Sequence, residues 1–215
     1  RMDSLRASWL SYGEGFRQGW SRTLVKRIFD IVASLILLIL AAPVMVLAAL
    51  LIVIEDGAPV FYRQERVGLG GRLFKVTKFR SMRRDAERDG KPRWASANDD
   101  RVTRIGRFIR KVRIDELPQL FNVLKGDMSL VGPRPERPFF VDQLTRDIPF
   151  YAVRHCVKPG VTGWAQVRYQ YGSSVDDAIN KLQYDLYYVK NHTLFLDTVV
   201  LFETVRVVLT GDGAH

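Results

Sequence analysis

Residues 28–54 read IFDIVASLILLILAAPVMVLAALLIVI, a run of 27 residues that carries a single charge, Asp30. As a continuous helix this run would extend about 40 Å, enough to cross the hydrocarbon core of a bilayer. Its length and its apolarity on all faces exceed those of ordinary core helices, so a buried helix of a soluble protein is the weaker alternative. The run therefore predicts a membrane helix.

Pro43 lies near the middle of this run. A proline inside a helix removes one backbone hydrogen bond and clashes with the preceding turn, which predicts a bend at Ala42-Pro43. The helix then either crosses the membrane with a kink or returns to the face from which it came. A basic globular region follows the run, and three basic residues precede it: Arg22, Lys26 and Arg27. Because positive charge favours the cytoplasmic side at both ends, we predict a re-entrant helix hairpin over residues 26–56.

The flanking regions complete the predicted organisation. In residues 1–25 aromatic and basic side chains alternate loosely. That pattern is typical of a segment at the membrane interface, although a linker is an equal alternative. Residues 57–215 are predicted to form one cytoplasmic globular domain.

The charge of the chain indicates an anionic partner. The formal net charge is +10 and the pI is near 9.9. Residues 75–113 alone contain 14 Lys and Arg against five Asp and Glu. Nucleic acid, anionic lipid or a phosphorylated substrate would each fit. The one cysteine, Cys156, excludes a disulfide within the chain and a zinc site made of cysteines.

Secondary-structure signals predict an α+β fold that is mostly helical. Two runs rich in β-branched and aromatic residues, residues 59–67 and 72–79, flank the glycines of 68–71 and predict a β-hairpin. In residues 102–113 apolar positions recur at helical spacing with arginines between them, which favours an amphipathic interfacial helix. The predicted fold is thus a re-entrant membrane helix joined to a small cytoplasmic domain that contains a β-hairpin and amphipathic interfacial helices.

Asp115 and Glu116 are adjacent carboxylates that we predict at the start of a short helix, with Asp115 as its N-cap. An ionised aspartate is a usable nucleophile toward phosphorus, and two neighbouring carboxylates can hold Mg²⁺. Phosphoryl transfer needs mainly positioning and positive charge. Four basic residues are the candidate phosphate ligands: Lys78, Arg80, Arg110 and Arg134. On spacing alone, a plain helix cap is the commoner meaning of such a pair.

Four motifs extend the hypothesis: KFRSM at 78–82, DELPQ at 115–119, NVLKGDMSLVGPRPE at 122–136 and KPGVTGWAQ at 158–166. Together they resemble the bacterial sugar transferases, the monotopic polyprenyl-phosphate phosphoglycosyl transferases of capsule, exopolysaccharide and O-antigen synthesis. The resemblance extends from about residue 26 to residue 213. Motifs of this length in this order are not a chance match.

The resemblance implies a function and a mechanism. A sugar-1-phosphate would move from a UDP-sugar to undecaprenyl phosphate in a ping-pong reaction. Asp115 would attack the β-phosphate, expel UMP and carry the phosphosugar until the lipid phosphate displaces it. Asp115 and Glu116 would hold Mg²⁺, while Arg110 and Arg134 would match phosphate-binding arginines of the family.

The resemblance also implies a location. The chain would be monotopic, at the cytoplasmic face of the bacterial inner membrane and in contact with its lipids. Pro43 would lie at the bend of the re-entrant helix. A homodimer is an option that the resemblance leaves open, and nucleic acid is not an expected partner.

Two positions depart from the family pattern. Ala42 precedes the bend proline, where some members have serine. Residues 168–172 read RYQYG, where many members continue with Asn-Gly-Arg, so the role of Arg168 is open. The candidate contacts to nucleotide or sugar are Glu136, Thr162, Gln166 and Arg168.

Two other functions would account for part of the sequence. A non-catalytic, membrane-associated scaffold of a polysaccharide synthesis complex would keep the fold without turnover, but the intact Asp115-Glu116 pair argues against it. A binder of nucleic acid or another polyanion would explain the charge. The apolar run argues against that class, and no aromatic-plus-basic motif for single strands supports it.

Overall fold

The structure is a computed structural model that describes residues 19–84, 86, 99–169 and 175–210. Within these ranges the helices are α1 (Trp20–Asp56), α2 (Arg104–Lys111), α3 (Gln119–Lys125), α4 (Pro138–Asp147), α5 (Trp164–Arg168), α6 (Val175–Asn191) and α7 (Leu194–Thr210). The strands are β1 (Phe61–Val67), β2 (Leu73–Phe79), β3 (Ser129–Val131) and β4 (Gly160–Thr162). Short 3₁₀ turns cover Leu69–Gly71, Ile114–Glu116 and Tyr151–Cys156. The predicted class, α+β and mostly helical, is confirmed.

Helix α1 is 37 residues long and contains Pro43. In the described part of the chain it is the one helix long and apolar enough to cross a membrane. Its middle is uncovered: Ile39 is 73% exposed and Leu40 69% exposed. The predicted long apolar helix is therefore confirmed, although it begins at Trp20, ahead of the predicted residue 26. Its re-entrant course stays a prediction.

The first half of α1 is tied to the globular part by buried polar contacts. The Lys26 ammonium lies 2.6 Å from Oδ2 of Asp197 on α7. One turn later, Oδ1 of Asp30 accepts hydrogen bonds at 3.1 Å from the Ser129 hydroxyl and from the backbone N–H of Leu130, both on β3. Buried charges are tolerated when they are paired in this way.

The last turns of α1 are tied to α2. The two carboxylate oxygens of Glu55 accept from the backbone N–H groups of Arg104, at 2.8 Å, and Ile105, at 2.9 Å. The side-chain hydroxyl of Thr103, the N-cap residue of α2, accepts from the backbone N–H of Gly106 at 2.9 Å. Because the first N–H groups of a helix have no partner within it, a carboxylate from α1 completes the cap. An apolar cluster lies beside this contact and includes Ala48, Ile52, Phe79 and Ile109.

The predicted β-hairpin is confirmed. Strands β1 and β2 are antiparallel, and their register runs from the pair Phe61 and Phe79 to the pair Val67 and Leu73. Gly70 and Gly71 have φ values of 62° and 80°, which residues with a Cβ rarely adopt, and they close the turn.

Strands β3 and β4 form a short parallel pair under α6 and α7. Gly132 follows β3, and a Cβ there would collide with the backbone carbonyl of Lys158. Only glycine permits this approach, which brings the chain after β3 against the chain before β4. The loop after β3 carries Arg134, so this packing helps to place a candidate site residue.

Exposed aromatic rings lie on α2, which is amphipathic, and on the apolar helix α7. Phe108 on α2 is 57% exposed, and Phe195 and Phe202 on α7 are 80% and 74% exposed. Their contact with a membrane surface stays a prediction. Of the predicted interfacial segment 1–25, residues 1–18 lie outside the described ranges, and Trp20 is 80% exposed.

Candidate active site

Asp115 and Glu116 occupy the 3₁₀ turn Ile114–Glu116, and both are buried. The predicted N-cap role of Asp115 is wrong, since α3 begins at Gln119 with Pro118 in the N-cap position. Proline favours the first positions of a helix because it has no N–H to satisfy. The helix therefore starts at the proline, and the two carboxylates remain in the tight turn before it.

Arg113 connects α2 to this turn in a left-handed conformation, with φ 59° and ψ 15°. A residue with a Cβ adopts this region at a cost, and such strain is common at functional sites. The reversal at Arg113 ends α2 and leads the chain directly into the carboxylate pair.

Glu116 is surrounded by positive charge. Its Oε1 atom lies 2.8 Å from the ammonium of Lys78, on β2, and 2.6 Å from Nη2 of Arg134, in the loop after β3. Its Oε2 atom lies 3.8 Å from Nη1 of Arg113. Three separate elements thus converge on one carboxylate, and two of the predicted phosphate ligands, Lys78 and Arg134, are brought together on it.

Asp115 is in a different state from its neighbour. Among the described residues its side chain has no hydrogen bond, although the positive charges of Lys78, Arg134 and Arg110 act on it. Burial and the adjacent charge of Glu116 outweigh those cations and raise the pKa of Asp115 to about 6. Asp115 is therefore a carboxylate that has no hydrogen-bonded partner among the described residues and is more basic than usual.

The pKa of Glu116 moves in the opposite direction. Burial favours its neutral form, but the charges of Arg134 and Lys78 and the hydrogen bond from Arg134 outweigh burial. They hold the pKa of Glu116 well below its usual range. When the environments of two adjacent titratable groups separate their pKa values in this way, the groups are suited to different roles.

Of the other predicted phosphate ligands, one acts at the site and one does not. The charge of Arg110, on α2, lowers the pKa of Asp115. Arg80 is buried elsewhere, with Nη2 donating to the carbonyl oxygens of Asp56, at 3.0 Å, and Gly57, at 2.6 Å. In this structure Arg80 caps the end of α1, where helix carbonyls lack partners.

Three of the four candidate nucleotide or sugar contacts have partners other than the carboxylate pair. Glu136 lies 3.5 Å from Arg66, and the Thr162 hydroxyl lies 2.7 Å from that of Thr204 on α7. The guanidinium of Arg168 lies over the ring of Trp164, 4.5 Å from its centroid. Oε1 of Gln166 is buried with no hydrogen-bond partner in the described part of the chain. The bend residues Ala42 and Pro43 are exposed on α1.

Asn122, on α3, was not assigned a role from the sequence. Its Oδ1 accepts from the backbone N–H of Thr77 at 3.0 Å, and its Nδ2 donates to the carbonyl of Lys75 at 2.8 Å. The side chain thus extends the hydrogen-bonding edge of β2 and holds it against α3, next to Lys78. The one available signal was the position of Asn122 inside the long motif at 122–136.

The carboxylate pair suits a divalent cation only in part. Lys78 and Arg134 already occupy Oε1 of Glu116. In the described ranges no group of three acidic, histidine or cysteine side chains is placed to hold a metal. Mg²⁺ is commonly bound by one or two carboxylates together with substrate phosphates. Asp115 and Glu116 fit that arrangement if a diphosphate supplies the remaining ligands.

Residues 21–211 match the protein family described as "Bacterial sugar transferase". The chain belongs to the bacterial sugar transferase family. The match covers α1, the hairpin, the carboxylate pair and the terminal helices, so the resemblance stated from the motifs is confirmed.

Three relatives of this sugar transferase are named for different sugars. A UDP-N-acetylgalactosamine-undecaprenyl-phosphate N-acetylgalactosaminephosphotransferase of Aeromonas hydrophila is 53% identical over 191 residues, 89% of this chain and 45% of that protein. An undecaprenyl-phosphate galactose phosphotransferase of Salmonella typhimurium is 43% identical over 213 residues, which cover 91% of this chain and 42% of that protein. A UDP-glucose:undecaprenyl-phosphate glucose-1-phosphate transferase of Caulobacter vibrioides is 45% identical over 196 residues, which cover 89% of this chain and 72% of that protein. The chain thus spans less than half the length of the first two.

Proposed function

We propose that this sugar transferase moves a sugar-1-phosphate from a UDP-sugar to undecaprenyl phosphate and releases UMP. The observation that carries the proposal is the unequal pair. Asp115 is buried, accepts no hydrogen bond from a described residue and has its pKa raised to about 6, and it lies beside Glu116, which is enclosed by cations. The printed names of the relatives supply the acceptor, undecaprenyl phosphate, and, for two of the three relatives above, a UDP-sugar donor.

In the first step an Oδ atom of Asp115 attacks the β-phosphorus of the donor. A bond forms between that oxygen and phosphorus, the bond from phosphorus to the bridging oxygen breaks, and UMP leaves with the bridging oxygen. A carboxylate with a pKa of about 6 is mostly ionised at pH 7 and more basic than an ordinary aspartate. Because Asp115 has no hydrogen-bonded partner among the described residues, it needs to break no contact before it attacks.

In the second step a phosphate oxygen of undecaprenyl phosphate attacks the same phosphorus. The ester bond to Asp115 breaks, the carboxylate is regenerated, and the sugar leaves on a lipid diphosphate. No oxidant, reductant or further co-substrate is needed. One nucleophile thus serves both half-reactions, as a ping-pong path requires.

The cations around Glu116 would stabilise the charge that develops on the transferring phosphate. Lys78 and Arg134 converge on Glu116 from two elements, and Arg110 acts on Asp115. Such preorganised charge is the main protein contribution to phosphoryl transfer. Mg²⁺ held by Asp115 and Glu116 with the donor diphosphate would add charge neutralisation. We expect the metal to bind well only together with the nucleotide sugar.

We propose a re-entrant course for α1, with both ends on the cytoplasmic side. Its first half is bound to Asp197 and β3, and its last turns are bound to α2 and Arg80. Both ends therefore contact the same globular domain, while the apolar middle is exposed. A full crossing would place one end on the far side of the bilayer and separate it from its contacts.

A half-reaction without the lipid acceptor tests the proposed function. The protein is incubated with Mg²⁺ and, in turn, UDP-N-acetylgalactosamine, UDP-galactose and UDP-glucose. We expect one equivalent of UMP and an intact mass increased by one sugar phosphate, which peptide mapping assigns to Asp115. Product formation that requires both substrates together, with the polypeptide unmodified throughout, would overturn the two-step path.

A further inference from the structure

The segment Pro133-Arg134-Pro135-Glu136 has no regular secondary structure, yet it presents the guanidinium that binds Glu116. Two of its four residues are prolines and have no backbone N–H. The segment therefore cannot form a ladder of its own, and its carbonyl oxygens must find donors elsewhere.

Each of the four consecutive carbonyls accepts from a different donor. The Pro133 oxygen accepts from the backbone N–H of Gly160 at 3.0 Å, and the Glu136 oxygen from that of Val67 at 3.0 Å. The two middle oxygens accept from side chains. Arg154 Nη2 donates to Arg134 at 2.8 Å, and Arg66 Nη1 donates to Pro135 at 3.0 Å.

Arg154 is itself held on several sides. Its Nη2 lies 2.7 Å from Oδ2 of Asp185 on α6, and its Nη1 donates to the Tyr151 hydroxyl at 2.6 Å. The guanidinium also lies 5.1 Å from the centroid of the Tyr151 ring. Arg154 is 6% exposed and Asp185 is 3% exposed. A buried arginine with a buried partner is a rigid support, because its planar fork fixes the direction of each donor.

We propose that Arg154 is a positioning residue for the transfer reaction, acting through Arg134. Asp185 orients Arg154, Arg154 holds the Arg134 carbonyl, and the Arg134 guanidinium then lies 2.6 Å from Glu116. Arg154 has no described contact with Asp115 or Glu116, so its effect must pass through the segment. The proposal rests on the proposed function for its kinetic consequence, but not for the contact itself.

Arg154→Lys tests the contact, because lysine keeps the charge beside Asp185 and loses the planar fork that reaches the Arg134 carbonyl as well. Hydrogen–deuterium exchange is followed in the peptide that contains residues 132–137. We expect faster exchange there in Arg154→Lys than in the wild-type protein. Tyr151→Phe is the matched control, since it removes the hydroxyl that accepts from Nη1 of Arg154 and leaves the contacts with the Arg134 carbonyl and with Asp185. Unchanged exchange in Arg154→Lys would overturn the proposal.

Kinetics test the consequence. A small displacement of a site residue can cost about a hundredfold in rate, so we expect kcat to fall roughly 10- to 100-fold in Arg154→Lys. The same substitution in an Arg134→Ala background should add less than about threefold, because the route to the site is already absent. Equal losses in both backgrounds would instead mean that Arg154 only supports folding.

Arg66→Gln keeps the proposal testable where Arg154→Lys does not fold. The Arg66 side chain is 18% exposed and holds the neighbouring carbonyl, of Pro135. We expect faster exchange in the same peptide and a smaller fall in kcat, again absent in the Arg134→Ala background. The exchange measurement needs no turnover. A wild-type protein that releases no UMP would therefore refute the proposed function, while hydrogen–deuterium exchange would still test the contact between Arg154 and the Arg134 carbonyl.

Discussion

The middle of α1 and the carboxylate pair depart in opposite ways from the usual distribution of side chains in a water-soluble protein, in which apolar side chains are buried and charged ones are exposed. Around residues 35–47 of α1, leucine and isoleucine side chains are exposed, with Ile39 at 73%. At the pair, two acidic side chains are buried, at 8% for Asp115 and 7% for Glu116. Apolar surface is stable when lipid replaces water, and buried charge is stable when other charges replace water. Each region is therefore defined by what takes the place of its solvent.

The same comparison applies within the carboxylate pair. Glu116 receives cations from three elements, and its charge is compensated. Asp115 receives no hydrogen bond in the described part of the chain, and its pKa rises to about 6. The compensated carboxylate shapes the site, and the uncompensated one is left to react.

The largest expected effect comes from substitutions that test the different roles of Asp115 and Glu116. Asp115→Asn should lower UMP release by at least about a thousandfold and abolish the phosphosugar adduct, because the nucleophile is lost. Glu116→Gln keeps the nucleophile, so it should slow the adduct without preventing it. Intact mass spectrometry after incubation with UDP-sugar and Mg²⁺ distinguishes the two variants. An adduct on Asp115→Asn would show that another residue attacks.

The next largest effect tests whether the middle of α1 lies in lipid. Leu40→Arg places a charge in the exposed apolar middle, at a cost of about 3 kcal/mol near a bilayer centre. We expect the variant to leave the membrane fraction after an alkaline wash. Leu73→Arg, at a leucine that is 55% exposed on the hairpin, is the matched control and should stay with the membranes. If both variants sediment alike, the middle of α1 is not in lipid.

The pH dependence follows from the raised pKa of Asp115. The reacting form is ionised, so the first half-reaction should rise about tenfold per pH unit below pH 6 and level off above pH 7. The folded-state pKa exceeds the usual value of 3.8, so the folded state binds the proton more tightly. Its stability should therefore fall as pH rises from about 4 to 6. Rapid-quench rates and thermal melts across this range measure both slopes.

Lys78→Gln tests whether the charge of Lys78 sets the midpoint of this pH–rate profile. The charge of Lys78 lowers the pKa of Asp115, so removing it should move the midpoint of the rate profile to higher pH. Wild-type protein in the same buffers is the reference. A midpoint that stays in place would mean that Lys78 does not act on Asp115 electrostatically.

The smallest effect concerns the contact between α1 and α2. Glu55→Gln leaves one acceptor oxygen and removes the charge at the start of α2, so it should destabilise the fold by about 1 kcal/mol. A domain of this size should then melt about 2–4 °C lower. Glu65→Gln, at an exposed position on β1, is the control and should melt like the wild-type protein.

The features predicted correctly depend on neighbours in the chain. A long apolar run indicates a helix whatever surrounds it, and glycines between two β-rich runs indicate a hairpin. The motifs were long enough to identify the family. The N-cap prediction for Asp115 failed because Pro118 competes with it for the start of the helix, and sequence spacing does not show which residue prevails.

The features that were missed depend on residues far apart in the chain. Arg80 and Arg134 look equivalent as basic residues within motifs, yet one caps α1 and the other binds Glu116. In the support that passes from Asp185 through Arg154, Asp185 lies 31 positions after Arg154 in the chain, and Arg134 lies 20 positions before it. No local pattern encodes such a contact.

The amino-acid sequence alone determined the long apolar helix, the hairpin, the family and the adjacency of two carboxylates, because these follow from composition and order along the chain. Only the tertiary structure decided which carboxylate is compensated. That outcome depends on how three elements converge on Glu116 and leave Asp115 buried, with no hydrogen-bonded partner among the residues that the structure describes. Burial and charge act through distance in space, and the fold alone sets that distance.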